Sequence, residues 1–495
     1  MTIGKALPLL FAVAATIIIA LAAFLLISPQ EDDSGLFKVY CNKKFSGLYW
    51  YMDKNTPWLP ASVLDQFPEN PGVTIDAANL RLNIDMGTQN IAMADEVVTD
   101  FVKTHAGTVY IPLQKIEDTI FVPLNTVYQF FRLSYSFSGN SIYLTSEYKA
   151  SGKDAPPDFS APKKTKWEQG SLRINLAWQY VNKATPEAPP KYDGLDIISP
   201  TWFHLITGGG GSVENNGDKG YADLCHERGY LVWATITNSM TVKGSTKFTT
   251  EVFSSPELLN KSVAQFLFYS CLYDADGINI DYEDVEDDDA AGLVDFTRAL
   301  RGLAERQGLN LSIDTLIPKP WTIEYDRENL AKYVDYIAVM TYDEHWSTSP
   351  KPGSISSLPW AEQAVQDTLS EGVPASQILL GVPLYTRVWT INQRGKIASN
   401  KAAGMAFVRN LLESEGLEPE YLPYEQQNYV EYDDEGNTAK IWIEDAVSIK
   451  NRVGLAEKYG LAGTACWQFS QAADDIWPLF AQNNEQEPEQ EPEQL

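Results

Sequence analysis

The feature that most constrains this chain is a series of eight short apolar runs: Ile174 to Trp178, Ile197 to Trp202, Tyr230 to Thr235, Gly277 to Tyr282, Leu311 to Thr315, Tyr336 to Thr341, Ile378 to Val382 and Gly463 to Gln468. Longer amphipathic patterns lie between several of them, at Pro256 to Tyr273, Ala290 to Gln307 and Ala361 to Glu371. Eight strands separated by helices predict an α/β fold, a TIM-type (β/α)8 barrel closed by parallel strands over roughly residues 168–481. A stretch near Thr390 to Lys440 interrupts the pattern and predicts an α+β insertion before the last helix and strand.

The 495 residues exceed one ordinary domain, and the remainder divides by composition. Residues 6–28 carry no charge, follow Lys5 and precede Glu31, Asp32 and Asp33. Such a run is long enough for a transmembrane helix, with the basic start keeping the short amino end inside and placing the rest of the chain outside the cell. Cleavage as a signal peptide at Ala20-Leu21-Ala22 is the competing reading, which would make the protein secreted. Residues 36–149 alternate over short segments such as Val73-Thr74-Ile75, Leu80 to Ile84 and Ser141 to Leu144, the last after the turn signal Ser138-Gly139-Asn140. They predict a small α+β domain. Tyr110-Ile111-Pro112-Leu113 and Phe121-Val122-Pro123-Leu124, ahead of Tyr128 to Phe131, resemble the stalk domain at the amino end of copper amine oxidases, which implies a spacer or glycan-contacting role and no copper. A polar, proline-containing linker is expected at 150–167, and a disordered acidic tail at 482–495.

Acidic residues outnumber basic ones by 66 to 38, a net charge of −28 that repels a phosphate backbone and argues against nucleic acid as a partner. The cysteines Cys41, Cys225, Cys271 and Cys466 are too far apart for a CxxC pair or zinc knuckle, and their disulfide state stays open. The four histidines never take the helical spacing of a zinc hydrolase. No metal and no cofactor is expected, and the chain is expected to act as a monomer.

The most informative segment is Asp276-Gly277-Ile278-Asn279-Ile280-Asp281-Tyr282-Glu283. Strand side chains alternate, so Asn279, Asp281 and Glu283 share one face and Ile278, Ile280 and Tyr282 the other. With the apolar face against helices, the carboxyl row points into the barrel, where unpaired charge is unfavourable unless it meets a pocket or performs chemistry. A solvated edge strand fits poorly with the flanking isoleucines and helices. A calcium loop would need Leu272 as its first ligand, which excludes it.

This segment is similar to the DxxDxDxE signature of family 18 glycoside hydrolases, the chitinase superfamily, with Asp276, Asp281 and Glu283 matching and Asn279 replacing the second of the signature's three aspartates. Met340-Thr341-Tyr342-Asp343, Gly381 to Arg387 and Cys466-Trp467 resemble that family's sixth, seventh and eighth strand motifs. Glu344-His345-Trp346 and Trp442-Ile443-Glu444-Asp445 resemble the branch of spore-cortex and cell-wall N-acetylglucosaminidases. The resemblance implies Glu283 as general acid and base, with Asp281 and Tyr342 holding the substrate's acetamido group. It further implies Asp276, Asn279, Asp343, Trp467, Tyr385, Arg387 and Trp178 as substrate-binding residues. The implied reaction is retaining, substrate-assisted cleavage beside N-acetylglucosamine in peptidoglycan or chitin, through an oxazolinium ion. An inactive chitinase-like glycan-binding protein is the alternative. Asp281, a like charge two residues away on the same face, is expected to raise the pKa of Glu283. Trp202, Trp346 and Trp389 are further candidates for lining sugar subsites.

Overall fold

The computed structural model describes residues 37–53, 56–67, 72–124, 127, 131, 133–146, 158–160, 164–168, 173–182, 185–206, 208–238 and 246–481. The membrane segment expected at 6–28, the tail at 482–495 and most of the linker at 150–167 lie outside them. No helix among the described residues is long and apolar enough to cross a membrane. The chain forms two compact units. One takes the described residues up to Asn83 with Thr88–Asn90 and Ile111–Asp158, and the other takes Ile84–Gly87, Ile91–Tyr110 and everything from Phe159.

In the first unit, Leu133–Ser138 and Ser141–Ser146 form a hairpin at the expected turn, and Ser141–Ser146 pairs in parallel with Lys38–Cys41. Val39, Cys41, Ile142 and Leu144 are buried on one face, as two-residue alternation requires. A second sheet joins Tyr51–Asp53, Thr56–Pro60, Thr119–Pro123 and Gln114–Ile116. Helix Glu96–His105, capped by Asp95, falls within the second unit and packs on helix Pro256–Leu272, where Gln265 donates to the Ala106 carbonyl at 2.8 Å.

That second unit is the barrel. Its strands are β1 (Ile174–Gln179), β2 (Ile197–Leu205), β3 (Leu231–Thr237), β4 (Gly277–Asp281), β5 (Asn310–Thr315), β6 (Tyr336–Val339), β7 (Ile378–Pro383) and β8 (Gly463–Trp467). Each pairs in parallel with the next, and β8 pairs with β1 to close the ring. Helices Pro256–Leu272, Ala290–Gln307 and Leu358–Ser370 occupy the expected crossovers. Between β1 and β2 the described residues form no helix. All four cysteine thiols are buried and free.

The barrel interior is layered. At the amino ends of the strands, Ile174, Leu176, Ile197, Ala338, Leu379 and Ala465 form an apolar layer with Trp233 and Tyr336, whose rings stack at 5.7 Å. Gly277 makes room for this plug, since a Cβ there would lie 2.7 Å from the Trp233 ring. Above it, Ser199, Thr235, Asn279 and Ser312 form a hydrogen-bonded polar layer, and the carboxyl groups lie above that.

The insertion begins at Tyr385, directly after β7, and runs to Ile443 as a five-stranded antiparallel sheet with helix Met405–Glu415. It is anchored by a buried ion pair. Arg452, on the helix Ala446–Lys458 that precedes β8, contacts both Glu444 oxygens at 2.7 and 2.9 Å and also reaches the Ser356 carbonyl. Burial pushes the Glu444 carboxyl up to about 7 despite the opposing pull of Arg452 and Ser448. Removing one member of a fully buried pair strands the other charge, so Arg452→Leu is expected to cost about 3–5 kcal/mol at pH 8. Because Glu444 takes up a proton as pH falls through its raised pKa, denaturant titration at pH 5 should give a smaller loss; an equal loss at both pH values would contradict this account.

Candidate active site

A cavity of about 180 Å³ opens at the carboxyl ends of the barrel strands and is lined by Trp178, Asp281, Glu283, Asp314, Leu316, Met340, Tyr342, Asp343, Tyr385 and Trp467. This end is where the loops after each strand converge in barrels of this type. Seven of the residues singled out in the sequence meet here: Trp178 from β1, Asp281 and Glu283 from β4 and its extension, Tyr342 and Asp343 after β6, Tyr385 after β7 and Trp467 from β8.

Glu283 is held by its backbone. Asn238, following β3, donates its amide to the Glu283 carbonyl at 2.6 Å and accepts from the Glu283 amide at 3.2 Å. Tyr325 adds a hydrogen bond to the neighbouring Tyr282 carbonyl at 2.9 Å. These contacts orient the acid while leaving its carboxyl to the cavity. Asp343 is placed differently. Consecutive strand residues point to opposite sides, yet Tyr342 and Asp343 both face the cavity, because β6 has ended and Asp343 adopts φ 62°, a left-handed turn that aspartate tolerates better than most residues. Tyr385 donates to its carboxylate at 2.7 Å.

The electrostatics follow from burial without a counter-charge. Among the described residues, no lysine or arginine lines the cavity. Burial pushes Glu283 up to about 7, with the negative fields of Asp284 and Asp343 adding to it. Asp281 is 8% exposed and is raised well above the usual carboxylate range, first by burial, then by Glu283 and Asp314. The repulsion expected between Asp281 and Glu283 is therefore expressed on Asp281, while Glu283 owes its shift mainly to desolvation. Burial and the carboxylates of Asp314 and Asp281 keep the Tyr342 phenol protonated.

Three residues predicted to bind substrate lie outside the cavity. Asp276 precedes β4, at the opposite end of the barrel, where its carboxylate meets Lys164 at 2.7 Å, His226 at 2.8 Å and the Val232 amide at 2.9 Å. Burial opposes its ionisation, but His226 and Lys164 outweigh it and hold the carboxyl below its ordinary range. Asn279 is fully buried beneath the cavity, bonded to Trp178, Thr235, Ser312 and Asp314. Arg387 belongs to the inserted sheet and donates to Asn400 at 2.8 Å. Of the further tryptophans, Trp202 and Trp389 are core residues and Trp346 is exposed on the loop after β6.

Two residues with evident roles carried weaker signals. Asp314 ends a run, Leu311-Ser312-Ile313-Asp314, whose alternation places Ser312 and Asp314 on the inner face by the same rule that oriented β4. Asn238 follows an apolar strand with no pattern to mark it. Among the described residues, one group has metal-ligand spacing, Asp223, His226 and Asp274 beside Asp276. Lys219 bonds to Asp223 and Lys164 lies 3.0 Å from Asp274, so lysine ammonium groups already supply the positive charge there.

Residues 241–472 match the family profile of glycosyl hydrolases family 18. A protein of Bacillus subtilis (strain 168), named provisionally as a sporulation-specific glycosylase, is 28% identical over 285 residues, covering 55% of this chain and 65% of that protein. A cortical fragment-lytic enzyme of Bacillus anthracis is 24% identical, over 53% of this chain and 62% of that enzyme. The chain thus spans less than two-thirds of the length of these curated relatives. The crystal structure of the Bacillus cereus spore cortex-lytic enzyme SleL shares the fold at TM-score 0.55 and 20% identity, over 68% of this chain and 78% of that one.

A buried acid whose pKa rises from 4.5 to about 7 weakens the fold as pH rises between those values, because the native state retains a proton that the unfolded chain releases. Glu283→Gln removes that burden. The variant is expected to gain stability over the parent between pH 5 and pH 8, by roughly 3 kcal/mol at most. Thermal melts at both pH values measure it, and a variant that gains nothing at pH 8 would contradict the raised pKa.

Proposed function

Since the chain carries a glycosidase domain of family 18 over residues 241–472, we propose that it hydrolyses β-1,4 bonds beside N-acetylglucosamine, with peptidoglycan as its substrate ahead of chitin. The reading is carried by one observation: Glu283, with a pKa raised to about 7, shares a small cavity with Asp281 and Tyr342 at the barrel mouth. A carboxyl group that keeps its proton near neutrality can donate it to a glycosidic oxygen and afterwards, as carboxylate, activate water.

Retention then follows without an enzyme nucleophile. The substrate's own 2-acetamido oxygen attacks the anomeric carbon as Glu283 protonates the leaving oxygen, and the resulting oxazolinium ion is opened by water that Glu283 deprotonates. Asp281 and the Tyr342 hydroxyl hold and polarise the acetamido group. Trp467 supplies an apolar floor for the sugar ring, 6.2 Å from Trp178 between ring centres, and the hydrogen-bonded Asp343 and Tyr385 also line the cavity. Peptidoglycan is favoured because the relatives named for spore-cortex lysis align with this chain, and because an anchor at residues 6–28 would keep the barrel beside the wall.

Incubating the soluble protein separately with purified wall sacculi and with chitin oligomers, then identifying new reducing ends by mass spectrometry, tests the reading. Expected are N-acetylglucosamine reducing ends from sacculi; release from chitin alone would overturn the substrate preference, and no product from either would overturn the hydrolase reading. Glu283→Gln is expected to lower kcat by about 10²–10⁴-fold. In the parent, kcat/KM should decline as pH rises through about 7, where the donor loses its proton; a rate still climbing at pH 9 would exclude Glu283 as the acid.

A further inference from the structure

Asn279 leaves β4 with an amide where the family signature places a carboxyl. The amide's orientation is fixed by its neighbours. The Trp178 indole can only donate, and it meets Asn279 Oδ1 at 2.8 Å, so the amide nitrogen faces β5 and donates to Ser312 Oγ at 2.9 Å and to Asp314 Oδ1 at 2.7 Å. Asp314 is 1% exposed, and its second oxygen, Oδ2, is buried with no protein hydrogen-bond partner.

The pairing of β4 with β5 sets Ile280 opposite Ile313. One residue further, Asp281 stands beside Asp314 on strands about 4.8 Å apart, and both line the cavity. Two adjacent buried carboxyl groups cannot both ionise cheaply and tend to hold one proton between them. We infer that Asp314 is the proton partner of Asp281, supplying from β5 the carboxyl that Asn279 withholds from β4. Oδ1 is committed to accepting from Asn279, so Oδ2 is the oxygen that carries the proton. Passing that proton to Asp281 leaves the pair's charge at minus one, and no other reactant is needed. The groups facing Asp314 are Trp178 from β1, Asn279, Asp281 and Glu283 from β4 and its extension, and Tyr342 after β6, none of them a cation. Burial raises Asp314 well above the ordinary carboxylate range, with the field of Glu283 adding to it and hydrogen bonds from Asn279 and Trp178 opposing it without cancelling it, consistent with a retained proton.

The catalytic consequence rests on the hydrolase reading, whereas the shared proton does not. Asp314→Asn keeps the side-chain shape, and the exchange variant Asn279→Asp/Asp314→Asn keeps an amide–carboxylate bond between the two strands. In carbon-13 NMR of aspartate-labelled protein, Asp314→Asn is expected to lower the titration midpoint of Asp281 by about one pH unit or more. An unchanged midpoint would overturn the inference, whether or not the protein proves to be a hydrolase. On an N-acetylglucosamine polymer, Asp314→Asn should lower kcat about 100-fold with KM within about threefold, and the exchange variant should regain at least about tenfold. A single variant with the parent's kcat and pH profile, or an exchange variant no better than the single one, would reduce Asp314 to a structural residue. If the parent cleaves no such polymer, the hydrolase reading falls and the NMR midpoint still decides the shared proton.

Discussion

Asp281, Glu283 and Asp314 share one small cavity with no cation among its lining residues, and the chemistry of the site depends on that crowding. Water would ordinarily stabilise such charges, but the barrel wall excludes most of it, so protons are retained where exposed carboxylates would shed them. The fold creates this condition by closing eight parallel strands around an interior too narrow for bulk solvent. The apolar plug of Trp233 and Tyr336 fills the amino end, and the cavity opens at the carboxyl end.

Strand alternation made much of this legible in the sequence. Once β4 is read as a strand with its isoleucines facing the helices, Asp281 and Glu283 must point inward, and the structure places both on the cavity wall. Asp276 rests on the family signature and not on alternation, and a signature does not distinguish the two ends of a strand. Seven residues of extended chain span roughly 23 Å, which carries Asp276 to the far side of the barrel and into a lysine and histidine cluster. Arg387 lies outside the cavity lining because the insertion starts two residues before it, a boundary that the apolar pattern of β7 does not mark.

What the sequence hid is mainly support. Asn238 and Tyr325 fix the Glu283 segment through backbone contacts that no local pattern encodes, since their partners are 45 and 43 residues away. Arg452 reaches the Ser356 carbonyl, 96 residues away, in the same non-local way, while its pair with Glu444 ties the insertion to the helix before β8, and the insertion contributes Tyr385 to the cavity. Such partners depend on how strands are arranged around the ring, which follows from closure of the barrel.

The vertical order of the interior accounts for an amide at position 279. That residue is fully buried, level with Thr235 and Ser312, in a layer with neutral hydrogen-bonding groups around it. A carboxylate there would be the deepest charge in the barrel and would face the Trp178 indole, with the Asp314 carboxylate across from it. An amide offers one acceptor to the indole and two donors to Ser312 and Asp314, matching each neighbour without a titratable proton. The ionisable groups are thereby confined to the layer above, level with Asp281 and Asp314, where they reach the cavity. Charge is placed at the depth where it can act on a bound molecule, and the layer beneath holds its geometry without depending on pH.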